Sequence, residues 1–123
     1  MQGRILYIED NKINRERLKY FLNSLNYHMI EADSGRNGIT AAYSELPNLI
    51  LLDTSLPDVE GAEIVKILKS TPELRHIPII ALTLRSDEWE ACQQAGCDGH
   101  LFKPFGKMQL EEILHLFLET ATA

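Results

Sequence analysis

Short runs of consecutive apolar residues alternate with amphipathic segments from one end of the chain to the other. The central run is Leu49-Ile50-Leu51-Leu52, opened by the turn signal Pro47-Asn48 and closed by Asp53. Apolar residues without alternation predict a strand buried on both faces, which is the habit of parallel sheets. Asp53 then stands at the carboxyl end of a central strand, the edge where open α/β sheets take their ligands. Comparable runs predict strands at Arg4–Ile8, Ile79–Thr83 and Gly99–Phe102. His28–Ala32 alternates only weakly and reads as a strand nearer an edge.

Between the strands, apolar positions recur at helical spacing. Leu18, Phe21, Leu22 and Leu25 share one face of a first helix. Ser34 is a plausible N-cap for a second, with Ile39, Ala42, Tyr43 and Leu46 on its buried stripe. A third runs from about Glu60 to Ser70 with Val65 and Leu68 inward, and Pro72 and Pro78 confine the connection that follows. Ser86 with Asp87 and Glu88 predicts a capped, dipole-matched start to a fourth helix, which Gly96 stops. The last helix sets Leu110, Ile113, Leu114, Phe117 and Leu118 on one side. Five βα units without repeats or linkers predict one α/β domain over residues 1–123, a parallel sheet covered by helices on both faces.

Composition narrows the functions such a domain can serve. With 123 residues the chain is long enough for one core without disulfide or metal staples. A net charge of −6 argues against a nucleic-acid backbone or an anionic membrane as partner. Cys92 and Cys97 form no CxxC pair and read as reduced structural thiols. The opening Met1-Gln2-Gly3-Arg4 leads into a strand with no signal-peptide core, and no apolar run approaches the ~20 residues of a membrane span. A cytoplasmic location is the default expectation.

Polar groups stand where the strands stop: Glu9 and Asp10, Asp53, Thr83 and Lys103. Strand ends along one edge of a parallel sheet converge on one crevice. Clustered carboxylates repel unless a cation joins them, and hard oxygen ligands suit Mg²⁺. A lysine and a hydroxyl complete the parts for phosphoryl transfer to a carboxylate. Each residue also has a plainer use. The acids match a helix N-terminus, Asp53 could cap a loop, Thr83 suits a strand, and an isolated lysine is usually solvated. Their conjunction favours the chemical reading.

The chain resembles a receiver domain of the two-component response regulators over essentially its full length. The resemblance rests on Ile8-Glu9-Asp10-Asn11 with Asn14, Leu51-Leu52-Asp53 with Leu56-Pro57 and Gly61, Pro78 to Thr83, Ala95-Gly96-Cys97-Asp98, and Lys103-Pro104-Phe105. It implies a flavodoxin-like (βα)5 three-layer sandwich with strand order 2-1-3-4-5. It further implies that Asp53 is the phosphoacceptor, charged by a histidine kinase or a histidine phosphotransfer protein. Glu9, Asp10, Asp53 and the backbone carbonyl of Ser55 would hold Mg²⁺, or Mn²⁺ in its place. Thr83 and Lys103 would contact the phosphoryl oxygens, His100 would be the aromatic switch partner of Thr83, and the Lys103–Pro104 bond would be cis. Output would pass to a downstream protein or to a domain outside this chain, since no linker or basic DNA-reading helix follows Glu119-Thr120-Ala121-Thr122-Ala123.

Some positions depart from the pattern. Thr54 and Ser55 replace the usual apolar pair, and Ser55 and Arg85 are expected to flank the path of attacking water. Leu84 stands where a small residue is usual, either crowding the pocket or turning outward. His100 replaces a tyrosine, its charge open to change near neutral pH, and Gly106 is a weak N-cap. Trp89 reads as packing on the same helical face as Cys92, and His28, His76 and His115 as surface or edge residues without clustered partners. Leu84 and His100 keep open the alternative of a non-phosphorylated pseudo-receiver acting as an interaction module. Flavin or dinucleotide binding is disfavoured because the first turn is acidic and lacks G-x-G-x-x-G.

Overall fold

The computed structural model describes the backbone of residues 3–122 and the side chains of residues 3–118. Met1, Gln2 and Ala123, and the side chains of the remaining C-terminal residues, lie outside it, and with them the readings placed on the two chain ends. Five strands alternate with five helices: β1 (Arg4–Ile8), α1 (Lys12–Ser24), β2 (His28–Ala32), α2 (Gly35–Glu45), β3 (Leu49–Asp53), α3 (Gly61–Ser70), β4 (Ile79–Thr83), α4 (Ser86–Ala95), β5 (Gly99–Phe102) and α5 (Lys107–Thr122). The strands are all parallel in the order β2-β1-β3-β4-β5. This is the flavodoxin-like order expected, with β2 on an edge.

Alternation along the strands divides the core into two layers of side chains. Ile5, Tyr7, Leu49, Leu51, Ile80 and Leu82 face α1 and α5, meeting Leu18, Leu22, Leu110, Leu114 and Leu118. Leu6, Ile8, Ile50, Leu52, Ile79 and Ala81 face the other way, toward Ala42 of α2, Ile64, Val65 and Leu68 of α3, and Cys92 of α4. Leu49 to Leu52 are all fully buried, so each contributes about 1.5–3 kcal/mol of apolar burial relative to exposure. That central strand fixes where Asp53 emerges.

Two helices depart from the expected stripes. On α2 the buried residues are Gly35, Gly38 and Ala42, while Tyr43 is 60% and Leu46 54% exposed. A Cβ on Gly38 would lie 2.5 Å from Ile8 Cδ1, so the helix seats its bare backbone on β1. Leu46 is not on the helical face at all: it is the C-cap, with φ 47° in the left-handed region. On α4 the N-cap is Arg85, not Ser86, and Glu88 Oε1 accepts the backbone N–H groups of Leu84 at 2.9 Å and Arg85 at 3.2 Å. The weak cap at Gly106 is compensated, because its N–H donates to the Gln109 side chain one turn ahead.

Candidate functional site

The carboxyl ends of β1, β3, β4 and β5 bring Glu9, Asp10, Asp53, Thr83 and Lys103 to one edge of the sheet. One carboxylate oxygen from each of Glu9, Asp10 and Asp53 lies within 4.8 Å of the others. Glu9 and Asp53 are almost fully buried and Asp10 is exposed. Lys103 Nζ is 2.8 Å from Asp53 Oδ1, which also accepts the Ser55 N–H at 3.0 Å. Both donors fall on the same carboxylate oxygen.

Burial and crowding set the charge state. Burial, then the hydrogen bond with Asp53, pushes the Glu9 carboxyl up to about 7 from its ordinary 4.5. Burial alone would raise Asp53 too, but the hydrogen bonds with Glu9, Lys103 and Ser55 outweigh it and hold that carboxyl below its usual range. One proton on Glu9 thus relieves a repulsion that a cation would otherwise relieve. Two buried carboxylates and one exposed one within a few ångström, all hard oxygen donors, fit a small divalent cation with room for water.

Thr83 is fully buried, and its Oγ1 has no hydrogen-bond partner among the described residues. An orphaned hydroxyl at a buried site is unusual enough to require an explanation. Thr54, in contrast, donates its hydroxyl to the Leu82 carbonyl at 3.2 Å.

The flanking residues have contacts of their own. Arg85 forms a bidentate pair with Asp87 at 3.0 and 2.9 Å along the start of α4. Leu84 is 60% exposed, yet lines a cavity of about 280 Å³ between α1 and the segment after β5, with Tyr7, Phe21 and Phe105. His100 is half-buried, stacked on Trp89 with ring centroids 4.1 Å apart and edge-on to Phe102 at 4.8 Å. Burial there lowers its pKa, so its charge change moves away from neutrality, contrary to expectation. His115, expected at the surface without clustered partners, stands 3.8 Å from Glu111 one turn away. The Lys103–Pro104 bond is cis.

Sequence reasoning missed Tyr7, whose hydroxyl donates to Glu9 Oε1 at 3.2 Å from within the core. It read as an apolar strand position. The signal was present: residues two apart on a strand share a face, so Tyr7 points where Glu9 does. Asp58 was missed as well. Its two oxygens accept the N–H groups of Gly35 at 2.9 Å and Arg36 at 3.0 Å, tying the loop after β3 to the start of α2.

The family model for the response regulator receiver domain matches residues 5–115. The chain belongs to that family. The receiver domain is 35% identical over 124 residues to the polar-differentiation response regulator DivK of Brucella ovis, covering 98% of this chain and 100% of that protein. It is 34% identical to the DivK of Brucella anthropi over the same span. Among solved structures, it superposes with a TM-score of 0.89 and 31% identity on the receiver domain of a sensor histidine kinase from Pseudomonas aeruginosa PAO1, covering 95% of this chain and 98% of that one. That structure has a magnesium ion coordinated in its active site cleft. The receiver domain of a histidine kinase from Syntrophus aciditrophicus gives a TM-score of 0.89 at 28% identity, covering 96% and 91% of the two chains. No described helix of the receiver domain is long and apolar enough to cross a membrane.

Proposed function

We propose that this receiver domain takes a phosphoryl group onto Asp53 from a phosphohistidine on a histidine kinase or phosphotransfer protein. The observation that carries the reading is the pairing of buried Asp53 with Lys103 at 2.8 Å beside a buried, unpartnered Thr83 hydroxyl. An Asp53 carboxylate oxygen attacks phosphorus, the P–N bond breaks, and the departing imidazole keeps the electron pair and takes up a proton. The acyl phosphate formed carries more negative charge than the carboxylate did. Lys103 then bridges to it, and the Thr83 hydroxyl gains the acceptor it lacks. Glu9, Asp10, Asp53 and the Ser55 carbonyl are the residues to hold Mg²⁺ or Mn²⁺, which when bound supplies charge neutralisation for the phosphoryl oxygens.

Movement of Thr83 toward the phosphoryl group is the event by which His100 would be released from its place against Trp89, changing the surface offered to a downstream protein. The pseudo-receiver alternative drew on Leu84 and His100. Leu84 stands largely in solvent and His100 is a packed aromatic, so neither argues for a lost switch. Labelling by acetyl phosphate tests the proposal. Incorporation should require Mg²⁺ and vanish in Asp53→Asn; incorporation that survives Asp53→Asn, or none in the unaltered protein, would overturn it.

A further inference from the structure

Glu9 is held more completely than a metal ligand needs to be. Its Oε1 accepts two side-chain donors, Asn14 Nδ2 at 2.9 Å and Tyr7 Oη at 3.2 Å. Its Oε2 accepts the Asn11 N–H at a long 3.3 Å. Arg15 Nη1 donates to the Glu9 backbone carbonyl at 3.0 Å, so the main chain is fixed along with the side chain. A carboxylate oxygen has two in-plane lone pairs, and on Oε1 both are taken.

We propose that Tyr7 and Asn14 are positioning residues that commit Glu9 Oε1 to the protein and present a cation with Oε2 alone, favouring magnesium over calcium. Calcium takes six to eight oxygens in flexible geometry and gains from bidentate carboxylates, whereas magnesium requires a tight octahedron of single oxygens and water. A carboxylate with one oxygen already filled suits the smaller ion and withholds from the larger one its preferred mode. Tyr7 is well placed for the task because its ring is buried in the core with the hydroxyl directed at Glu9. Asn14 comes from α1 and Tyr7 from β1, so the two donors reach Oε1 from separate elements and hinder its rotation.

The inference rests on the proposed cation site, and the test separates the two. Tyr7→Phe, Asn14→Ala and the double variant are titrated calorimetrically with MgCl₂ and with CaCl₂, beside the unaltered protein, after circular dichroism shows each to be folded. Tyr7→Phe keeps the ring in the core, and Asn14 is exposed on a helix where alanine is welcome, so all three should fold. The double variant is expected to lose about tenfold in magnesium affinity, as is usual when partners of a metal ligand are removed. Its calcium affinity should change by about twofold or less, so that the preference narrows. An unchanged magnesium-to-calcium ratio overturns the proposal, including the case where both affinities fall together, which marks a merely structural role. Failure of the unaltered protein to bind magnesium at all would overturn the cation site and this inference with it.

Discussion

Thr83 and Glu9 each carry an unmet demand in the unmodified protein. A buried hydroxyl without a partner costs roughly 1–3 kcal/mol, and Thr83 meets that description. Thr83→Val, which replaces the hydroxyl by a methyl of similar shape, should therefore raise the stability of the unmodified domain by about 1 kcal/mol. The same change should slow acetyl phosphate labelling by roughly a hundredfold, as loss of one donor to a developing charge typically does. Thermal melting and labelling kinetics on one preparation check both signs. Glu9 titrates near 7 in the fold against 4.5 for the ordinary group. Its proton favours folding, so this contribution is complete below about 4.5 and is lost as pH rises through about 7. Melts in chelator should thus show the thermal midpoint falling between these limits, and Glu9→Gln should flatten the slope. Asp53, held below its usual range, acts oppositely: its contribution is present above the ordinary value of 3.8 and fades in more acid solution, outside that window. The five site positions could be read from the sequence because each closes an apolar run, whereas Tyr7 was passed over, since its ring reads as core and only its place two residues before Glu9 hints at what its hydroxyl meets.

Among the elements, β3 and α2 mark the two extremes of legibility. An unbroken apolar run bounded by turn residues allows β3 hardly any other placement, and its bounds agree with expectation. Helix α2 fails differently. Periodicity favours large apolar residues for the buried face, but this helix approaches β1 too closely for them and uses glycines instead. Nothing in hydrophobic spacing distinguishes a glycine that is buried by design from one that merely loosens a helix. Gly38→Ala makes the point measurable. Helix propensity favours alanine by about 1 kcal/mol, while overpacking costs ~1–3 kcal/mol, and contact with Ile8 at 2.5 Å puts this site at the upper end. The variant should therefore lose about 1–2 kcal/mol net, read as a lower midpoint in urea. A more stable Gly38→Ala would mean that α2 rides higher on the sheet than described.

For the molecule as a whole, layer order and strand order were accessible because five βα units leave a right-handed parallel sheet as the natural solution, and the family resemblance then fixed the permutation. The acids gather at one edge because that sheet has one carboxyl side. Repulsion at that edge is a strain the entire fold carries, so a bound cation should stabilise everything, not the loops alone. Magnesium at about one hundred times its dissociation constant should raise global stability by about 2.7 kcal/mol, and Asp53→Asn should respond less. Melting curves with MgCl₂ and with KCl at equal ionic strength separate this from screening.

The stack between Trp89 and His100 has a practical consequence. Trp89 is the sole tryptophan, so every indole photon leaves from beside that imidazole. The ring pair is a native lamp and shade: if phosphorylation of Asp53 frees His100 as proposed, parting the two should brighten the emission and restore ordinary exposure to added quenchers. No dye has to be attached to follow that separation.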